Sequence, residues 1–242
     1  MHHVVLERWS RGKSVLHRRD SRAKIVALLV FLLAVATTPS RAALYMPLYA
    51  AIPLAALLTA RLPLGGVLLR AAVVLPFCVV FALMSAAAGD TVRAVALVEK
   101  SYLSALAVLA VAGTTPVPLF ISGLGSLGAP RYLLVVIQFL YRYLFVISEQ
   151  AQHMRLAARS RGSAGGFRFR RWRLRAATGA LTVLFARSYL RAQGTYRAML
   201  ARSFEGRVHL LSTPKFAEGD VTLVVLGVLG TLALRVAVGL LA

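Results

Sequence analysis

The sequence predicts an all-α integral membrane protein with about five transmembrane helices and a cytoplasmic domain of long amphipathic helices. Three observations predict it. The 242 residues are 59% hydrophobic with a mean hydropathy of +0.73. The apolar residues are gathered into long blocks, which is the composition of a membrane protein and not of a large soluble core. The basic residues, which give a net charge of +21, fall almost wholly outside those blocks.

The first 24 residues carry Arg8, Arg11, Lys13, Arg18, Arg19, Arg22 and Lys24. The first apolar run begins only after them, so a cleaved signal peptide is not expected there. Spanning a bilayer takes roughly 20 apolar residues per helix. Candidate spans are residues 24–38, 42–60, 67–88, 94–113 and 221–241. The run 131–149 is also apolar, but Arg131, Gln138, Arg142 and Glu149 share one face at helical period, which reads as an amphipathic helix.

Of the 29 basic residues, seven lie in 1–24 and sixteen in 131–215. The positive-inside rule puts both blocks in the cytoplasm. Four spans between them satisfy it, and the fifth leaves the C-terminus outside. A span at 131–149 would turn the basic sequel outward, so that helix is expected on the cytoplasmic side or along the interface. The division expected is a basic cytoplasmic N-terminus (1–24), a four-helix membrane part (24–113), a cytoplasmic helical domain (114–215) and a last transmembrane helix (216–242). The proline- and glycine-bearing stretch "TTPVPLFISGLGSLGAP" at 114–130 marks the main boundary.

A second long helix is expected from about 178 to 206. Arg187, Arg191, Thr195, Ala198, Arg202 and Glu205 share one side of it, and Leu190, Tyr196, Leu200 and Phe204 take the other. Such a helix can pack through its apolar side while offering charge to a partner, and Gly206 suits its end. Each long basic helix ends in an arginine between small residues: Ser160-Arg161-Gly162 in the first and Ala201-Arg202-Ser203 in the second. Small neighbours leave the guanidinium uncovered, and its planar fork fits carboxylates or helix-end carbonyls. Complementing the helix dipole is the plain alternative for each arginine. Arg159 leaves the register of the first motif open, because "ARS" at 158–160 fits as well.

These residues resemble a family. "RRDSRAKIVALL" is similar to the Asp-Pro-Arg-x-Lys motif of the transmembrane T component of energy-coupling factor (ECF) importers, with Ser21 in place of proline. "YRYLFVISEQ" and the two arginine motifs resemble that family's coupling helices, and "YRAMLARSFEG" is close to its cobalt-uptake branch. Ser160 and Ser203 depart from the alanine and the final glycine usual there. The resemblance implies a non-enzymatic scaffold that joins two copies of a P-loop ABC ATPase to a small substrate-binding membrane protein, the S component. Each motif arginine would dock in one ATPase. ATP and Mg²⁺ would be bound by those subunits and no cofactor by this chain. The cargo implied is cobalt, with nickel or another small nutrient as the near alternative. The setting implied is the inner or cell membrane of a bacterium or archaeon.

Other features carry less. "RGKS" at 11–14 lacks the upstream glycine and the strand of a phosphate-binding loop. His2 and His3 could bind a transition metal with the terminal amine, but a polar N-terminus explains them as well, since metal sites need converging ligands. Cys78 is single and sits in an apolar run, which suits packing. Glu99 and Lys100 near the start of a span are functional suspects or interfacial snorkels, and Arg235 has the same plain explanation. Only eight acidic residues occur, none grouped for acid–base or metal chemistry. That weighs against a membrane enzyme of lipid metabolism. A basic, lipid-holding structural protein fits the charge but leaves the paired motifs unexplained. The charge follows the membrane, so no nucleic-acid partner is expected.

Overall fold

The structure is a computed structural model that describes residues 9–10, 12, 14–163, 170–204, 206 and 218–241. Among the described residues the regular structure is helical: α1 (Ser21–Thr37), a 3₁₀ segment (Ser40–Ala50) running into α2 (Ala51–Ala60), α3 (Leu64–Ala72), α4 (Leu75–Ala87), α5 (Thr91–Thr114), α6 (Val117–Ser126), α7 (Arg131–Ala158), α8 (Arg170–Ala201) and α9 (Glu218–Leu241). The chain divides into two compact units. One is Met1–Gly128 with Leu210–Ala242, and the other is Ala129–His209.

Among the described residues three helical stretches are long and apolar enough to cross a membrane: Thr91–Thr114, Arg131–Arg161 and Gly219–Gly239. α3 and α4 add a fourth if they form one span bent by 47°. The bend has a local cause: Pro76, in the first turn of α4, has no N–H to donate and its ring displaces the carbonyl one turn back. This is a multi-pass, all-α membrane protein. Charge argued for keeping 131–149 at the interface; length and hydropathy place the helix that contains it among the possible spans.

In the first unit the buried side chains are mostly small. Ala34, Ala60, Ala71, Ala94, Ala96, Ala107 and Ala110 are buried, and they let helix backbones approach closely where lipid offers no hydrophobic drive. Gly123 of α6 shows how close: a Cβ there would lie 2.6 Å from the Ser21 hydroxyl of α1. Larger residues fill two centres. Phe31, Val35, Tyr49, Leu103 and Val238 form one, and Leu57, Leu62, Val67 and Leu106 form the other, with Trp9 and Leu16 packed against it. Trp9 is held from both sides. The Arg70 guanidinium stacks over its ring at 4.2 Å, and its carbonyl bonds the His17 Nε2 at 2.8 Å. Leu29, Leu33, Leu69, Phe77, Leu83, Leu226 and Leu229 point outward, as lipid-facing residues do.

Polar groups tie the two ends of this bundle. At one end Asp20 caps α1, its carboxylate accepting from Arg22 N–H at 2.9 Å. Its own N–H donates to Asp220 of α9 at 3.0 Å. Lys24, buried to 3% exposure, donates to the Thr114 carbonyl (3.0 Å) and the Thr115 hydroxyl (3.2 Å) at the end of α5. At the other end α1 finishes with carbonyls that no later turn can satisfy. Lys100 of α5 donates to the Ala36 and Thr38 carbonyls, and Arg235 of α9 donates to Thr37 O at 2.9 Å. The interfacial reading of Lys100 and Arg235 is therefore incomplete, because both cap a neighbouring helix.

Candidate functional site

The arginine motifs lie in the second unit, at the ends of α7 and α8. α7 holds 28 residues in one helix, then widens into a π-helical turn, Arg159–Ser163. Such turns are rare and recur at functional positions. Arg159 continues the helix in right-handed geometry, its N–H donating to the Arg155 and Leu156 carbonyls. The Ser160 hydroxyl donates back to Ala157 O at 2.9 Å. Arg159, Ser160 and Arg161 are all exposed. The backbone of Gly162 belongs to the same turn.

The second motif is built differently. Ala201 is the last residue of α8, and Arg202 and Ser203 form the turn that stops it. Ser203 N–H donates to Leu200 O at 3.1 Å and Phe204 N–H to Met199 O at 3.0 Å. This is the paired bonding of a Schellman stop, which needs a left-handed residue at the position of Ser203. Its φ is +50°. A glycine would take that angle without strain, which gives a physical reason for the glycine usual at this place in the resembled family. Arg202 is exposed, with its direction set by the stop.

One contact fixes how the two helices cross: Tyr143 Oη of α7 and Thr195 Oγ1 of α8 are hydrogen-bonded at 2.8 Å. Among the residues of α8 whose burial is described, 177–201, the part-buried ones are Leu184, Ser188, Thr195 and Met199, and they form a single stripe. The apolar side named from the sequence is elsewhere. Leu190, Tyr196 and Leu200 are 66%, 63% and 61% exposed, and Tyr189 is exposed as well. Arg187 and Arg191 are exposed too. The sequence expectation that the apolar side would serve for packing is thus corrected for the α7–α8 contact. Thr195, assigned to the cationic side, sits at the crossing because a hydroxyl there finds a partner.

The two motifs do not meet. At 1.5 Å per residue, Arg161 lies about 27 Å along α7 from the crossing and Arg202 about 10 Å along α8, so on the order of 17 Å or more separates them. They are two separate exposed turns, not one pocket. His2, His3, Lys13, Glu205 and His209 lie outside the described residues. Among the described residues no three His, Cys, Asp or Glu side chains converge as a metal site would require.

The motif "RRDSRAK" contributes residues whose role was not legible in the sequence. Asp20 and Lys24 read there as part of a basic lead-in; in the structure both are buried and hold three helices together. A carboxylate immediately before a helical run is the one local signal, that of an N-cap.

The sequence profile of a family described as "CbiQ: Cobalt transport protein" matches residues 12–210. A cobalt transport protein CbiQ of Rhodobacter capsulatus is 32% identical over 121 residues, which is 50% of this chain and 48% of the relative. The aligned part thus spans about half the length of that curated relative. The profile match includes α1 to α8 and both arginine turns, and on that extent the chain belongs to the CbiQ family of cobalt transport proteins.

Proposed function

We propose that this protein is the transmembrane T component of an ECF-type importer: a non-catalytic scaffold that couples ATP hydrolysis by two partner ABC ATPases to uptake of cobalt, or of nickel, through a small substrate-binding membrane subunit. ATP and Mg²⁺ belong to the ATPases. Five crossings are proposed, with the third made by the bent pair α3 and α4, in the inner or cell membrane with the N-terminus in the cytoplasm. The helices α7 and α8 serve on the cytoplasmic side or along its interface.

The observation that carries this reading is the presence of two separate exposed arginine turns at the ends of two crossed long helices. Two ATPases need two docking points far enough apart for both to bind. A rigid helical crossing between those points transmits movement from one to the other. The geometry of Arg202 suits docking, because a Schellman stop exposes the side chain beside a reversing backbone.

Membrane pull-down of the ATPase tests it. Arg161→Glu or Arg202→Glu should remove a charge-assisted contact of on the order of 2 to 5 kcal/mol where the partner charge is left buried, abolishing metal uptake. The double variant should release the ATPase from the membrane. Arg159→Glu, tested beside Arg161→Glu, decides the register of the first motif. If the arginines serve the helix dipole alone, the cost is about 0.3 to 1 kcal/mol of helix stability and assembly stays intact. Wild-type retention of the ATPase by the double variant sinks the proposal.

A further inference from the structure

Within the first unit, α1, α2, α5 and α9 leave a cleft of about 1060 Å³ between them. Its walls are apolar, with Leu28, Phe31, Ile52, Ala56, Leu223 and Leu226 among them, and its polar end is lined by Arg19, Lys24 and Arg61. We propose that this cleft holds an acyl chain of an anionic glycerophospholipid, with the lipid phosphate between Arg19 and Arg61.

The dimensions fit one leaflet. Along α1 the lining runs from Lys24 to Phe31, about 10 Å, and along α9 from Gly219 to Thr231, about 18 Å, at 1.5 Å per residue. Half of a hydrocarbon core of about 30 Å lies between these two lengths. The cleft is also open to its surroundings, since Leu58 and Leu226 on its lining are 62% and 73% exposed. In a bilayer those surroundings are acyl chains.

The charge at the polar end selects the headgroup. Among the described residues no carboxylate forms an ion pair with Arg19 or Arg61. The nearby carboxylates Asp20 and Asp220 are buried and engaged in the cap of α1. The three cations on the lining, Arg19, Lys24 and Arg61, outnumber them. A basic pocket between transmembrane helices at one face is the chemistry that recognises anionic lipid heads.

Both arginines are placed there by local backbone features. The guanidinium of Arg19 lies over Gly219, where any Cβ would overlap it. Arg61 is the left-handed residue that ends α2, with φ +53°. Arg61 N–H donates to Leu58 O at 3.1 Å and Leu62 N–H to Leu57 O at 3.2 Å. That is a position where glycine is the unstrained choice, and an arginine that lines the cleft stands there. This inference stands apart from the docking role of the arginine turns.

The test is native mass spectrometry of the full chain, purified in neutral detergent and delipidated, then offered equal amounts of dioleoyl phosphatidylglycerol and dioleoyl phosphatidylcholine. One phosphatidylglycerol should stay bound with a preference on the order of 30-fold, about five-fold per arginine. Millimolar inorganic phosphate should not displace it. Arg61→Gly removes the cation while relaxing the backbone, so a folded variant is assured, and about five-fold of the preference should go. Arg19→Gln with Arg61→Gln should bring the two lipids level, Ala55→Trp at the cleft wall should weaken both, and Arg93→Gln at the far end of α5 should change neither. Equal retention of the two lipids by the wild-type chain overturns the proposal, as does undiminished preference in Arg61→Gly and the double variant. Cross-linking of Leu226→Cys to a partner protein, with phosphatidylglycerol lost from the assembled complex, also overturns it in favour of a partner helix as occupant.

Discussion

Replacing Lys24 by methionine removes a charge and keeps the bulk. In the folded chain the ammonium makes two hydrogen bonds, to Thr114 O and Thr115 Oγ1, and the Asp220 and Asp20 carboxylates act on it electrostatically. Hydrogen bonds to a charged group contribute about 1.5 to 3 kcal/mol each. Breaking a buried charge constellation by removing one member costs about 3 to 5 kcal/mol, because the partners are left uncompensated. The lower figures of the two estimates agree, so Lys24→Met should destabilise by about 3 to 5 kcal/mol. For a chain of this length that lowers the midpoint by roughly 6 to 20 °C. The assay is thermal unfolding of the purified chain in mild detergent, followed by loss of the monodisperse peak in size-exclusion chromatography. Thr115→Val removes one acceptor and should cost about 1.5 to 3 kcal/mol. Arg22→Ala is the control. Its ion pair with Asp20 is at 4.0 Å with the arginine side chain 46% exposed, and solvent screening holds such a pair to less than about 1 kcal/mol. If Lys24→Met melts within a few degrees of Arg22→Ala, the buried lysine is not the fastening described here.

Two further outcomes follow from backbone geometry. Ser203→Gly should relieve about 1 kcal/mol of left-handed strain, and hydrogen exchange at the Phe204 amide should slow about five-fold; faster exchange would mean that Ser203 is not strained. Gly123→Ala should force α6 from α1, since its Cβ would meet the Ser21 Oγ and the Ile25 Cδ1 at 2.6 and 3.1 Å, at a cost of about 1 to 3 kcal/mol. Gly89→Ala, where nothing lies within 4 Å but φ is +90°, separates crowding from backbone strain, and recovery of Gly123→Ala by Ser21→Gly should identify the clash.

Much of the architecture was legible in the chain. Hydropathy blocks and charge are local properties, and bilayer thickness converts block length directly into spanning capacity. The helices at 91–114 and 219–239 were therefore marked in advance. So was the end of the first long basic helix, because a glycine after an arginine signals a helix stop; the second, expected to run from about 178 to Gly206, is Arg170–Ala201 and stops at the left-handed Ser203. The pairing of the two arginine motifs was visible for the same reason, as was the family, whose signature is the order of several weak motifs along the chain.

Other features depend on which helices become neighbours. Lys24 meets Thr114 across 90 residues, Asp20 meets Asp220 across 200, and Arg235 reaches Thr37 across 198. Apart from the N-cap signal of Asp20, nothing local marks these groups as partners, and nothing sets Lys24 and Arg235 apart from the cations that orient a membrane chain. The side of α8 that faces α7 was misjudged from its apolar stripe, because the stripe says which residues are apolar and not which neighbour they meet. A hydrogen bond between Tyr143 and Thr195 marks the contact instead. Composition alone determined that this chain enters a membrane as helices. The tertiary structure decided which cations lock helix ends, which line a cleft, and which remain exposed, because an arginine's role is set by the carbonyls and carboxylates that packing brings within about 3 Å of it.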